Sequence, residues 1–251
     1  MDRRPLIAGN WKMHTTAHEA QDLASAVVLA ANKVTGRDVM IAPPYTALTA
    51  VSTILSGTDV MLGAQNVHWE EQGAFTGEIS APMLKDLGCS MAIVGHSERR
   101  HVFGETDIMI NKRIKGAMQF GLIPVFCIGE SLEQRESGNT LKVIEDQIRA
   151  GLADIEVSEG TRIVVAYEPV WAIGTGKTAT EAQAQEVHCF IRTLLADIYE
   201  KNIAAQIRIL YGGSVKPENV DILMQQDDID GALVGGAALK AEMFERIICF
   251  Q

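Results

Sequence analysis

Residues 161–180 read TRIVVAYEPVWAIGTGKTAT. The run Ile163-Val164-Val165-Ala166-Tyr167 suits a β-strand, a Gly-Thr-Gly-Lys-Thr loop follows it, and Thr-Ala-Thr-Glu opens a helix. Strand, glycine loop and helix in this order are the outline of a nucleotide phosphate loop, which requires Gly-x-x-x-x-Gly-Lys-Ser/Thr. Counting back from Gly176-Lys177-Thr178, the first glycine should fall at position 171, and position 171 is Trp. Pro169 removes a further N–H donor, and Gly174 lies too close to Gly176 to take the missing glycine's place. The NTPase reading therefore fails. What remains is a loop of small residues directly after the carboxylate Glu168, which is the composition of a lid. Its residues are Pro169, Val170, Trp171, Ala172, Ile173, Gly174, Thr175, Gly176, Lys177, Thr178 and Ala179.

The strand in this stretch is one of eight apolar runs at fairly even spacing. The others are residues 5–11, 38–44, 59–65, 90–96, 122–129, 206–213 and 231–236. Their apolar residues are continuous instead of alternating, as in parallel strands buried on both faces. Between them lie helical periods, clearest in Ala20, Leu23, Ala24, Val27, Val28 and Ala31 and again from Val187 to Ile198. Weaker stripes run over 105–120, 131–153, 216–225 and 240–250. Eight alternations in 251 residues predict an α/β fold with one (β/α)8 barrel domain spanning 1–251. An open doubly wound sheet is the rival, because periodicity does not reveal closure. The connection at 66–80, NVHWEEQGAFTGEIS, is too long for a plain link and reads as a functional or partner-contacting loop, or else as a disordered insertion.

Composition narrows the function. A net charge of −10 argues against a nucleic-acid face. The apolar run after Arg3-Arg4 is too short for a signal sequence, and no stretch approaches a membrane span, so a soluble cytoplasmic protein is expected. Cys89, Cys127, Cys189 and Cys249 lie far apart and read as reduced thiols, not as a disulfide framework or zinc site. His14 and His18 lack the Glu of a zinc helix.

In parallel α/β folds ligands bind at the carboxyl ends of the strands. Those ends carry Asn10-Trp11-Lys12, Gln65-Asn66, His96-Ser97-Glu98, Glu130, Glu168, Gly212-Gly213-Ser214 and Gly235-Gly236. Each residue alone is ordinary. Together, a carboxylate, an imidazole, a cation and glycine turns on one rim are the parts of an active site. The turns at Gly213-Ser214 and Gly235-Gly236, each expected to open a helix, read as an anion cradle or simply as helix caps. Glu98, Arg99 and Arg100 read as ion-pairing residues behind the site.

The segments GNWKM (9–13), AQN (64–66), GAFTGEIS (73–80), IVGHSERR (93–100), CIGE (127–130), AYEPVWAIGTGKTAT (166–180), YGGSV (211–215) and DGALVGGAAL (230–239) resemble the triosephosphate isomerase family in order and spacing. The resemblance covers essentially the whole chain. It implies interconversion of dihydroxyacetone phosphate and glyceraldehyde 3-phosphate without cofactor or metal. Glu168 would be the base and His96 the electrophile. Lys12 and Asn10 would bind substrate and stabilise the enediolate, with Trp11 beside them and Glu98 in support. Main-chain N–H groups of Gly174, Ser214, Gly235 and Gly236 would hold the phosphate. A helix start at Ser97 would depress the His96 pKa; these isomerases are themselves the usual illustration of that effect, so the expectation comes with the resemblance. The loop around Thr76 resembles the family's intersubunit finger and implies a homodimer in which it meets Asn10 to His14 of a second copy. The alternatives are an inactive barrel that binds sugar phosphates and another aldose-ketose isomerase or epimerase. Position 14 is His where the family mostly has Asn, and Ala238 stands where Ser is usual.

Overall fold

The structure, a computed structural model, describes residues 3–173 and 179–251. Eight strands run through it: β1 (Leu6–Asn10), β2 (Asp38–Ala42), β3 (Met61–Ala64), β4 (Met91–Val94), β5 (Ile123–Ile128), β6 (Val164–Tyr167), β7 (Arg208–Tyr211) and β8 (Gly231–Val234). They pair in parallel in chain order, and β1 closes on β8, with Leu6 opposite Gly231 and Gly9 opposite Val234. That closure excludes the open sheet.

Eleven α-helices among the described residues form the outer layer. They are α1 (Ala17–Ala31), α2 (Leu48–Leu55), α3 (Ala81–Asp86), α4 (Ser97–His101), α5 (Asp107–Gln119), α6 (Leu132–Glu136), α7 (Thr140–Gly151), α8 (Glu181–Ile198), α9 (Lys201–Ala204), α10 (Val220–Met224) and α11 (Ala241–Ile248). Threonine and serine hydroxyls start several of them. Thr16 and Glu19 form a reciprocal cap on α1, and Thr180 and Gln183 repeat it on α8, directly after the lid segment. The single stripe expected over 131–153 is two helices, because Gly138 adopts φ +75° and turns the chain between them. The helix expected from residue 216 begins only at Val220.

The continuous apolar character of the strands follows from having two cores. One side of each strand fills the barrel, as with Leu6, Ala8, Met40, Ile93, Val125, Ala166 and Leu210. The other side packs on the helices, as with Ile7, Ile41, Val94, Phe126, Val165 and Ile209. Removing both faces from water leaves no position for alternation.

The long connection after β3 is ordered. His68 donates its N–H to Ile79 O at 2.8 Å and bridges Ser80, closing the loop at its base. The Trp69 ring stacks on His68 and lies under the guanidinium of Arg113. The tip, with Thr76 and a partly exposed Phe75, faces solvent.

His188 of α8 is fully buried between Tyr167 and Tyr211. Its Nδ1 lies 3.1 Å from Asp228 O. A carbonyl only accepts, so Nδ1 carries the proton and the buried Nε2 is left without a donor. Burial pushes this imidazole down to about 4 from 6.5. The unfolded chain therefore binds a proton that the fold refuses, and stability falls as pH drops from 6.5 toward 4. The loss is about 3 kcal/mol once both states are past their midpoints. His188→Gln should flatten this segment of the stability-against-pH curve measured by urea unfolding; an unchanged curve would show that His188 does not couple to folding.

Candidate active site

The site is assembled just beyond the strand ends. The strands stop up to two residues earlier than their apolar runs suggest, so the polar residues that follow belong to turns over the barrel mouth. After β1, Lys12 takes a left-handed conformation, φ +52°, costing about 1 kcal/mol or more for a side-chain-bearing residue. Three bonds hold it there. Asn10 Oδ1 accepts from Lys12 N at 3.0 Å, and Gln65 Nε2 donates to Lys12 O at 2.7 Å and to Ala42 O at 2.9 Å. The Lys12 ammonium pairs with Glu98 Oε1 at 2.7 Å and lies against the Gly235 turn. Trp11 does not join this group as expected: its indole is fully buried in the layer between barrel and helices.

His96 follows β4 by two residues and caps α4, its Nδ1 accepting from Glu98 N at 3.2 Å. The single proton of a neutral ring then sits on Nε2, which lies 2.9 Å from Glu168 Oε1. Glu168 follows β6 directly, is 2% exposed, and accepts from Ser97 N at 2.9 Å through Oε2. Burial disfavours the Glu168 charge, but His96 and the Ser97 N–H outweigh it and hold the carboxyl below its ordinary value. Burial likewise works against an imidazolium at His96, yet the Glu168 carboxylate wins and raises that ring above its ordinary value. The depression expected from the helix start is thus reversed in this resting arrangement. It depends on Glu168 lying at Nε2. When the carboxylate moves away, burial and the Glu98 N–H both favour the neutral ring, while Glu98 and Lys12 act with opposite signs.

Opposite these groups stand the turns after β7 and β8. Gly212 adjoins the Glu168 side chain, and Gly235 caps a 3₁₀ turn, Gly236–Leu239, not an α-helix. Neither turn runs straight into its α-helix, since α10 and α11 start several residues later. A cavity of about 400 Å³ unites both sides, lined by Asn10, Lys12, His96, Glu168, Ser214 and Gly235 among others. His14, expected only at a subunit contact, lines this cavity too. Ala238, the other departure, is fully buried.

Of the lid segment, Val170–Ala172 forms one 3₁₀ turn, Ala172 is buried, and Ile173 lines the cavity. Gly174, Thr175, Gly176, Lys177 and Thr178 fall outside the described residues. Glu130, which sequence reasoning left without a role, anchors the near end of the segment. Wholly buried, it accepts from Trp171 Nε1 at 2.8 Å, Tyr167 OH at 3.1 Å and Arg135 Nη1 at 3.2 Å through one oxygen. Its position in CIGE, at a strand end, was the only signal. Gln65 was likewise placed at a strand end without the bond that fixes Lys12. Arg99 and Arg100 do pair behind the site, with Glu105 and Asp107 at 2.6 Å each. Among the described residues no group of three or more His, Cys, Asp or Glu is placed to hold a metal ion.

A buried carboxylate, an imidazole and an ammonium facing glycine turns can move a proton beside a carbonyl while an anion is held. Comparison with known proteins gives this arrangement a lineage. A family model described as triosephosphate isomerase matches residues 5–251. Triosephosphate isomerase of Trichlorobacter lovleyi is 57% identical over 249 residues, covering 99% of each chain. That of Syntrophotalea carbinolica is 55% identical over the same share. The crystal structure of triosephosphate isomerase from Bartonella henselae superposes with a TM-score of 0.89 at 41% identity, covering 98% of each chain. The chain belongs to the triosephosphate isomerase family.

Proposed function

We propose that residues 1–251 act as one barrel domain that interconverts dihydroxyacetone phosphate and D-glyceraldehyde 3-phosphate. The observation that carries this is the single cavity in which Glu168, His96 and Lys12 face the turns at Ser214 and Gly235. Glu168 takes a proton from the carbon beside the carbonyl and returns it to the neighbouring carbon. His96 donates from Nε2 to the oxygen that gains charge, and Lys12 and the Asn10 amide stabilise the enediolate between the two transfers. Atoms and oxidation level balance within the substrate, so the chemistry calls for no cofactor. Phosphate rests on main-chain N–H groups of Ser214, Gly235 and Gly236, with Gly174 added by the lid, and Glu98 supports Lys12.

In the resting arrangement the base is bonded to the electrophile, Glu168 to His96. Substrate must part them, which frees the Nε2 proton for the carbonyl and returns His96 toward neutrality. A coupled assay with glyceraldehyde 3-phosphate tests the whole reading. Turnover supports it; phosphate-ligand binding without turnover would instead identify an inactive sugar-phosphate-binding barrel.

The chain acts as a homodimer. Met13, Val102 and Phe103 are 93%, 73% and 67% exposed. Met13 and Phe103 border a 200 Å³ crevice that also contains Lys12, Gln65 and Glu98. The Thr76 tip of a second copy suits that crevice, and covering it would bury the apolar rim. Sedimentation equilibrium should give twice the chain mass; a monomer at micromolar concentration would refute the pairing. No helix among the described residues is long and apolar enough to cross a membrane. A cytoplasmic location is proposed from composition, to be checked by cell fractionation.

A further inference from the structure

Asn219 stands at the position preceding α10, where an asparagine ordinarily turns its side-chain oxygen onto the first N–H groups of its own helix. Here its side chain makes no bond to α10. It reaches backwards instead. Oδ1 accepts from Lys216 N at 2.8 Å, and Nδ2 donates to Ser214 O at 2.9 Å. One side-chain amide therefore clasps both ends of Ser214-Val215-Lys216.

The clasp sets the electrostatics of the cavity wall. In a trans peptide the carbonyl and the following N–H point in opposite directions. With the Ser214 carbonyl turned onto Asn219, the Val215 N–H points the other way. Ser214 and Val215 both line the cavity that holds Glu168, His96 and Lys12. Among the described residues neither of their N–H groups donates to a protein acceptor. Two unspent donors are presented on one short turn, and the carbonyl that would repel an anion is held back. Pre-aimed dipoles of this kind need no reorganisation when the charge arrives.

We infer that Asn219 is a positioning residue for phosphate: it fixes the turn after β7 so that the Ser214 and Val215 N–H groups are held ready for the anion. The inference rests on the proposed placement of the substrate phosphate at that turn. Asn219 itself lies outside the cavity lining and touches no reacting atom.

The test separates positioning from a structural role. In Asn219→Ala, the KM for glyceraldehyde 3-phosphate and the competitive inhibition constant of inorganic phosphate should rise together by about tenfold, the effect of one or two lost hydrogen bonds. The kcat should stay within about twofold, and Tm should fall by no more than a few degrees, because two partly exposed bonds are lost while α10 gains no cap from this side chain. Asn219→Asp keeps an acceptor for Lys216 N but has no donor for Ser214 O. Its KM and inhibition constant should also rise, and should stay raised at high salt, which screens the added charge but does not restore the bond. This second variant also serves if the alanine form does not fold. The inference is overturned if both soluble variants keep wild-type KM and inhibition by phosphate, or if kcat falls while both constants stand. A wild-type enzyme that inorganic phosphate does not inhibit competitively would sink the phosphate placement itself, a separate result.

Discussion

Glu168→Asp should lower kcat by about 10²-fold while KM changes by no more than a few-fold. The carboxylate is placed by three contacts: Glu168 N donates to Ile128 O at 2.7 Å, Oε2 accepts from Ser97 N, and Oε1 meets His96 Nε2. Shortening the arm by one methylene withdraws the oxygens by roughly 1 Å, a misplacement able to cost about 10² in rate. The turns after β7 and β8, proposed to hold the phosphate, are untouched, so ground-state binding should survive and the loss should fall on the chemical step. Glu168→Gln keeps the side-chain length and can still accept from Ser97 N, but it cannot take up a proton. Its loss should be about 10²- to 10⁴-fold, the range of a positioned general base. Steady-state kinetics in both directions reads both variants: a normal kcat in Glu168→Gln would show that Glu168 is not the base, and a normal kcat in Glu168→Asp that its exact placement does not set the rate.

Gly129→Ala should damage the same step although Gly129 itself does not line the cavity. A Cβ built on Gly129 would lie 1.7 Å from Glu168 O and 2.7 Å from Glu168 C. Neither strand can step aside cheaply. Gln147 grips Gly129 through both its N–H, at 2.8 Å, and its carbonyl, at 3.1 Å. On the other side Tyr167 O accepts from Gly212 N at 2.7 Å. The added methyl must therefore push the Glu168 backbone, and with it the base. Overpacking of this kind costs about 1–3 kcal/mol. The displacement should reduce kcat by about 10²-fold. Thermal unfolding and kcat together test it: a variant with wild-type Tm and turnover would contradict the close approach of β5 and β6.

The parts of the site were legible because parallel α/β folds gather reactive groups at one end of their strands. Lys12, His96, Glu168, Ser214, Gly235 and Gly236 could all be placed there from apolar runs and the residues that end them. The strand limits were less legible. The run SMAIVGH continues to His96, yet β4 ends at Val94. Glycine and small residues suit both a last strand position and the turn that follows, and only ladder hydrogen bonds distinguish them. Trp11 was misplaced for a related reason. One residue separates facing the mouth from facing the helices, and its neighbours Asn10 and Lys12 gave no sign of which way the indole turns. Glu130 and Asn219 were passed over because a Glu or Asn at a turn is ordinary until its partners are known.

The sequence by itself determined the barrel's eight strands, the family and the residue types available for proton transfer, since periodicity and motifs are local and survive without coordinates. Closure of β1 on β8, the seating of Glu168 on His96 and Ser97, the left-handed Lys12 held by Gln65, and the Asn219 clasp were decided only by tertiary structure. Each depends on atoms brought together from distant parts of the chain or on backbone directions that a string of residues does not encode locally. The reversed pKa direction of His96 has the same origin. A helix start is readable beside it, but the carboxylate that outweighs burial and the helix arrives from β6, and its charge acts through 2.9 Å of space.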